Sequence, residues 1–163
     1  MLAEAGQTGP PIAVERLAQH VGAVISRSSF DDGDVSGMLL RRDGEAPVIG
    51  VNDSHSDNRQ RFTVAHEIGH LLLHPGREVV LDRPVRVNLR DKTSSTATDR
   101  EEIEANAFAA SLLMPQEAVR NEILRLDPST RQDPDRCTAA LAAVFAVSPA
   151  AMGFRLMNLG LIS

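Results

Sequence analysis

The stretch FTVAHEIGHLLLH, residues 62–74, holds three of the chain's five histidines, at His66, His70 and His74. Glu67 sits beside the first of them, and most of the other positions are apolar. A four-residue repeat stacks side chains on one face of a helix, about 6 Å apart at Cβ. Phe62, Ala65, Gly69, Leu72 and Leu73 fall close to one side at the 3.6-residue period. The spacing predicts a long helix over residues 56–74, with Ser56 at its N-cap and Pro75-Gly76 ending it.

Two imidazoles at i and i+4 can grip one Zn²⁺ and leave two sides of its tetrahedron open. Glu67 lies one residue round the helix, where it can reach a water on the metal without becoming a ligand. Zinc lowers the pKa of such a water from ~15.7 to roughly 7, and a carboxylate so placed takes the proton. His66, Glu67 and His70 therefore read as two ligands and a general base. Gly69 costs a helix about 1 kcal/mol relative to Ala. Its presence implies that another backbone or a substrate passes close by. His74, a turn further on, lies beyond the reach of a metal bound by both other histidines. It reads as a packing residue or a support for a ligand.

A catalytic zinc site takes a third protein ligand. The next acidic cluster is DREEIEANAFAASLLMP, from residue 99, with Glu101, Glu102 and Glu104. At ~100° per residue, Ala109 and Leu113 lie within about 20° of Glu102 and Asn106 about 40° away. Glu104 falls on the opposite side and Glu101 toward the edge. A carboxylate aimed into an apolar face is costly unless it is paired or binds metal. Glu102 is thus the expected third ligand, with Glu104 in reserve. Asn106 is placed to hydrogen-bond a liganded imidazole and set its tautomer.

Around this centre the chain reads as α+β. A helix is expected from Ile12 to Gly22, then strands over residues 23–28, 36–42 and 47–52, joined by the turns DDGD (31–34) and RDGE (42–45). That order suggests an antiparallel meander. VRVNLRD (85–91) is a fourth strand candidate, and KTSSTATD (92–99) reads as a loop. Asp99 with Glu102 resembles a capping box opening a helix that runs to Met114. A further helix is expected over residues 116–126, then a proline-bearing linker over 126–136, then two short helices meeting at Ser148-Pro149.

The 163 residues fit one domain, expected over 10–163, with a core at 10–126 and a helical C-terminal segment at 135–160. A net charge of −5 with interspersed signs argues against a sequence-independent grip on nucleic acid. Cys137 is the sole cysteine, which excludes an intramolecular disulfide and suits a reducing compartment. The first residues show no basic, apolar leader, and no window offers the ~18 apolar residues of a membrane span. A cytoplasmic protein is expected.

HExGH followed by E-x-x-A-N-x-F-A-x-x-L-L-M-P, here residues 102–115, resembles the ImmA/IrrE family of zinc metallopeptidases. RQRFTVAHEIGHLLLH (59–74) looks like that family's active-site helix, and the likeness extends from about Ile12 to Leu161. The resemblance implies a zincin-like fold: a small antiparallel or mixed sheet packed on the HExxH helix, a second ligand-bearing helix, and a helical C-terminus. It implies a gluzincin site with one Zn²⁺ on His66, His70 and Glu102, and Glu67 as base. It also implies a protein substrate, typically a helix-turn-helix repressor of the Xre type, whose loss derepresses mobile-element, stress or toxin–antitoxin genes. It implies too that larger relatives carry sensory domains, and none is expected within these 163 residues.

The leading expectation is a zinc endopeptidase, its substrate added as a strand at a sheet edge beside PVIGVN (47–52). The second is a non-catalytic zincin module that sequesters a repressor. It draws on the absence of Tyr, since many such peptidases use a Tyr or His to stabilise the oxyanion. His55, Arg59, Arg61 and His74 are the candidates left for that task. A third expectation, DNA binding by the tail, is weak, because its second helix offers only Arg155. Direct nucleic-acid and membrane contacts are not expected.

Overall fold

The computed structural model describes residues 2–30, 35–76, 78–82 and 96–162. Helix α1 (Val14–His20) buries Val14, Leu17 and Ala18 on one face. Gly22, at φ 78°, turns the chain into β1 (Val24–Ser28). Strands β2 (Gly37–Leu40) and β3 (Val48–Asn52) form an antiparallel hairpin, with Gly37 opposite Val51 and Leu40 opposite Val48. Its turn contains the RDGE sequence, where Gly44 adopts φ 78° and the Glu45 N–H donates to the Arg42 carbonyl at 3.1 Å. Helix α2 (Asp57–Leu73) follows. Ser56 stands at its N-cap, although the hydroxyl makes no capping bond. Strand β4 (Val79–Asp82) then pairs antiparallel with β2.

The rest of the described chain is helical: α3 (Thr96–Leu113), α4 (Gln116–Arg125), α5 (Pro128–Gln132), α6 (Pro134–Phe145) and α7 (Pro149–Asn158). The architecture is α+β, with a mixed sheet in the order β1-β3-β2-β4. Helix α2 packs on the sheet through β2 and β3, and α3 packs against α2.

Four expectations change. The first three strands do not form a meander, because β1 lies parallel to β3, with Val24 opposite Val48. The cause is visible in β3, where Ile49 to Asn52 are all buried. A strand covered on both faces belongs in the middle of a sheet, so β1 takes the free side of β3 and the hairpin supplies the crossover. PVIGVN is therefore not an edge; among the described residues the outer strands are β1 and β4.

The second change is β4 itself, which was not anticipated; the expected strand at 85–91 and the turn at 31–34 lie outside the described residues. Third, α3 starts at Thr96, so positions 99 and 102 stand inside the helix rather than at its start. Threonine costs a helix at most about 0.7 kcal/mol, too little to stop α3 from extending backwards. Fourth, the linker over 126–136 is helical. Each Asp-Pro step opens a helix: the Asp127 carboxylate accepts from the N–H groups of Ser129 and Thr130, that of Asp133 from Asp135 and Arg136, and each proline occupies the first turn.

The C-terminal pair closes the core. Leu141 and Phe145 on α6 and Met152 and Leu156 on α7 are fully buried. Ala146, at φ 50°, ends α6 in the left-handed region, and the Ser148 hydroxyl caps α7 by accepting from Ala151 N–H at 3.1 Å. Arg155 donates to the Met114 carbonyl at 3.0 Å, tying α7 to the end of α3. The one basic residue of the tail's second helix is thus engaged inside the protein. No single helix among the described residues is long and apolar enough to cross a membrane.

Candidate metal and catalytic centre

The middle of α2, from Thr63 to His70, is buried between the sheet and α3. His66, Glu67 and His70 therefore leave water through packing that their neighbours Val64, Ala65 and Ile68 drive. Gly69 sets how near α3 comes. A Cβ built there would stand 3.1 Å from Phe108 Cδ1, 3.2 Å from Ala105 Cα and 3.3 Å from the Ala105 carbonyl oxygen. The close-passing backbone that Gly69 implied is that of α3.

One turn before Asn106 on α3, Glu102 reaches across this contact. Its Oε2 lies 3.2 Å from His66 Nε2 and its Oε1 lies 3.2 Å from His70 Nε2. The two Nε2 atoms are 2.9 Å apart, and the rings meet edge to face at 72° with centroids 4.6 Å apart. His66 Nδ1 lies 3.0 Å from Asn106 Oδ1. The amide oxygen accepts from Nδ1–H, so a neutral His66 can offer its Nε2 lone pair to a metal; this tautomer is assigned from the partner.

A zinc bound at ~2.0–2.1 Å holds tetrahedral donors about 3.3 Å apart. The donor atoms of His66, His70 and Glu102 already stand at 2.9–3.2 Å. The three residues could hold a metal ion, and two imidazoles with one carboxylate is a set that suits zinc. Burial raises the pKa of the Glu102 carboxyl, but hydrogen bonds and charge from His66 and His70 outweigh it and hold it at about 2. Glu102 is thus an anion at any neutral pH, as a ligand must be.

Glu67 is fully buried on the sheet side of α2. Its Oε1 lies only 3.2 Å from where a Cβ on Gly37 would stand, and Thr63 Cγ2 lies 2.3 Å from the same point. Only glycine in β2 leaves space for this carboxylate. Arg41, at the end of β2, donates to the carbonyls of His70 at 2.7 Å and His74 at 3.0 Å, holding the last turn of α2. Burial lowers the pKa of its guanidinium, and the nearby Glu67 charge opposes that shift. Neither Gly37 nor Arg41 was singled out in the sequence. The glycine left one signal, since a glycine inside a strand often marks a close approach.

Glu104 does not face away from the site as the helical wheel implied. Its carboxylate accepts from Arg100 at 2.8 Å and meets His74 Nε2 at 3.0 Å. Of the four candidates for oxyanion support, His74 is engaged there. Arg61 donates to the carbonyls of Ile12 at 2.8 Å and Ala146 at 3.2 Å, joining the N-terminal segment to the α6–α7 turn. Arg59 donates to the Ser36 hydroxyl at 2.7 Å and lines a groove of about 600 Å³. Phe62, Asn106, Ala110, Met114 and Phe154 line the same groove, so it opens beside His66. His55 is not among its lining residues.

An α+β scaffold that brings an HExxH pair, its glutamate and a carboxylate from a second helix to one point defines a metallopeptidase-type centre. Residues 18–157 match the IrrE N-terminal-like domain family of peptidases, and the chain belongs to this ImmA/IrrE family of metallopeptidases. Over 90 residues, 55% of this chain, it is 36% identical to the radiation response metalloprotease IrrE of Deinococcus deserti. Over a stretch of the same length it is 32% identical to the protein of that name from Deinococcus radiodurans. The matched segments span 30% and 26% of those relatives' lengths.

Proposed function

We propose that this chain is a zinc-dependent endopeptidase with a zincin-like, gluzincin-type site, folded as one domain over residues 10–163. The observation that carries the reading is the buried Glu67 carboxylate beside the convergent donors of His66, His70 and Glu102. Zinc, when bound, supplies Lewis acidity to the substrate carbonyl and acidifies water. Glu67 accepts the proton of the attacking water and returns it to the leaving amine. His66, His70 and Glu102 hold the metal, and Asn106 fixes the His66 ring. The groove beside Asn106, which Arg59 also lines, takes apolar side chains of the substrate on one side of the scissile bond.

The substrate we propose is a helix-turn-helix repressor of the Xre type, its cleavage derepressing stress or toxin–antitoxin genes in the cytoplasm. The support is the family resemblance together with a groove that suits the apolar face of a folded segment. The competing reading, a module that binds a repressor without cutting it, draws on the absence of tyrosine from the chain. Turnover separates them: many repressors cleaved per chain means catalysis, and one inactivated per chain means sequestration. Glu67→Gln should keep zinc and lower cleavage by roughly 10²–10⁴-fold, the usual worth of a general base. Full cleavage by that variant would sink the mechanism.

A further inference from the structure

The geometry points to His74 and Glu104 as positioning residues that lock His70 into its metal-binding tautomer. This rests on the reading of His70 as a ligand. His70 Nε2 faces His66 Nε2 and Glu102 at 2.9 and 3.2 Å. To bind a metal His70 must offer the Nε2 lone pair, and a neutral imidazole carries one N–H, so the metal-bound ring has its hydrogen on Nδ1. His70 Nδ1 lies 3.2 Å from His74 Nδ1. His70 therefore donates, and His74 Nδ1 must be the acceptor. The hydrogen of His74 then sits on Nε2, 3.0 Å from Glu104 Oε2. A carboxylate can only accept, so this last bond settles the direction of the whole chain. In the opposite arrangement the His74 Nε2 lone pair would face a carboxylate oxygen, acceptor against acceptor.

Two further contacts keep the relay in place. Arg100 donates to Glu104 Oε1 at 2.8 Å, leaving Oε2 for His74. Arg41 binds the carbonyls of both His70 and His74, which fixes the backbone between them. The His74 side chain is 9% exposed, so water does not readily replace its partners. The two histidines of the site are thus oriented differently. Asn106 does for His66 with one amide oxygen what His74 and Glu104 do for His70 in series. Partners of this kind typically change metal affinity by roughly 10–100-fold when removed.

The test uses the full chain labelled with ¹⁵N at histidine, with zinc titrated by competition against a chelating dye. In the wild type, ¹H–¹⁵N spectra of zinc-loaded protein should show Nδ1–H on His70 and Nε2–H on His74. Glu104→Gln keeps the shape but offers an amide that donates as well as accepts, so both His74 tautomers should appear. Zinc affinity should fall by roughly 10–100-fold in Glu104→Gln and in His74→Phe. His74→Gln, whose amide oxygen can accept from His70, should restore affinity, and adding Glu104→Gln to it should then cost nothing. A role in packing alone predicts no tautomer change and no such rescue. Unchanged tautomers and affinity in Glu104→Gln, with zinc bound by the wild type, would overturn the relay and spare the metal site. A wild type that binds no zinc would overturn the metal reading and the relay with it.

Discussion

Glu102 and Glu104 stand two residues apart on α3 and do different work. Glu102 touches the Nε2 atoms of His66 and His70, while Glu104 meets His74 and Arg100. Glu102→Ala should therefore lose the metal at any practical zinc concentration, and Glu104→Ala should still load one zinc per chain at saturation. Metal analysis of the two variants checks this, and the reverse pattern would reassign the third ligand. Gly37 offers a second test at this scale. Alanine there would place Cβ 2.3 Å from Thr63 and 3.2 Å from the Glu67 carboxylate. Gly37→Ala should destabilise the protein by about 1–3 kcal/mol, as overpacking does, and should cut turnover further by displacing the base. Urea unfolding alongside activity per folded molecule would show both effects; wild-type values in each would mean that β2 yields freely.

At the scale of elements, the contact of α2 with α3 decides whether the donors meet. Gly69→Ala sets two magnitudes against each other. Alanine favours the helix by about 1 kcal/mol, but its Cβ would press on the backbone of Ala105, which cannot rotate away. The packing cost of about 1–3 kcal/mol should win. The variant should lose both stability and zinc affinity, since widening this contact moves Glu102 from the histidines. A more stable variant with full affinity would show that α3 shifts at no cost. The aspartate caps give a pH signature. Hydrogen bonds from Ser129 and Thr130 hold the Asp127 carboxyl below its ordinary 3.8. A lowered pKa means that the cap stabilises above that value and its contribution is lost as the pH falls through the folded-state value. The stability gap between wild type and Asp127→Ala should thus be full near neutrality and close in acid. A gap independent of pH would assign the effect to something other than the carboxylate.

For the whole molecule, ligand binding and folding are coupled through α2, which touches the sheet on one side and carries the site against α3 on the other. A zinc that binds only the folded chain should add about 2.7 kcal/mol at a free concentration 100 times Kd. Chelation should lower Tm by the matching amount, and restoring zinc should reverse it; a Tm indifferent to chelator would detach the site from the fold's stability. Arg61 joins distant parts of the chain through two carbonyls. Its pKa is lowered by burial, a sign that it has left water for a structural task. This removes it from the residues available to stabilise an oxyanion.

Much of this was legible in the sequence because local period carries it. The repeat of His66, His70 and His74 placed α2, and the apolar stripe of α3 chose Glu102 over its neighbours. Ser148-Pro149 marked the last helix boundary. Other features depended on contacts that no local pattern encodes. The position of β1 beside β3 follows from burial of β3 along Ile49 to Asn52, which only tertiary contacts establish. The partner of Glu104 is a histidine 30 positions away; a helical wheel treats every direction away from the core as solvent, so it could not show that α2 bends a side chain to meet it. Residue types and their spacing determined which groups could bind a metal and accept a proton. The approach of α3 at Gly69 decided that they face one another, because side-chain chemistry acts over about 3 Å and only tertiary packing sets distances that short.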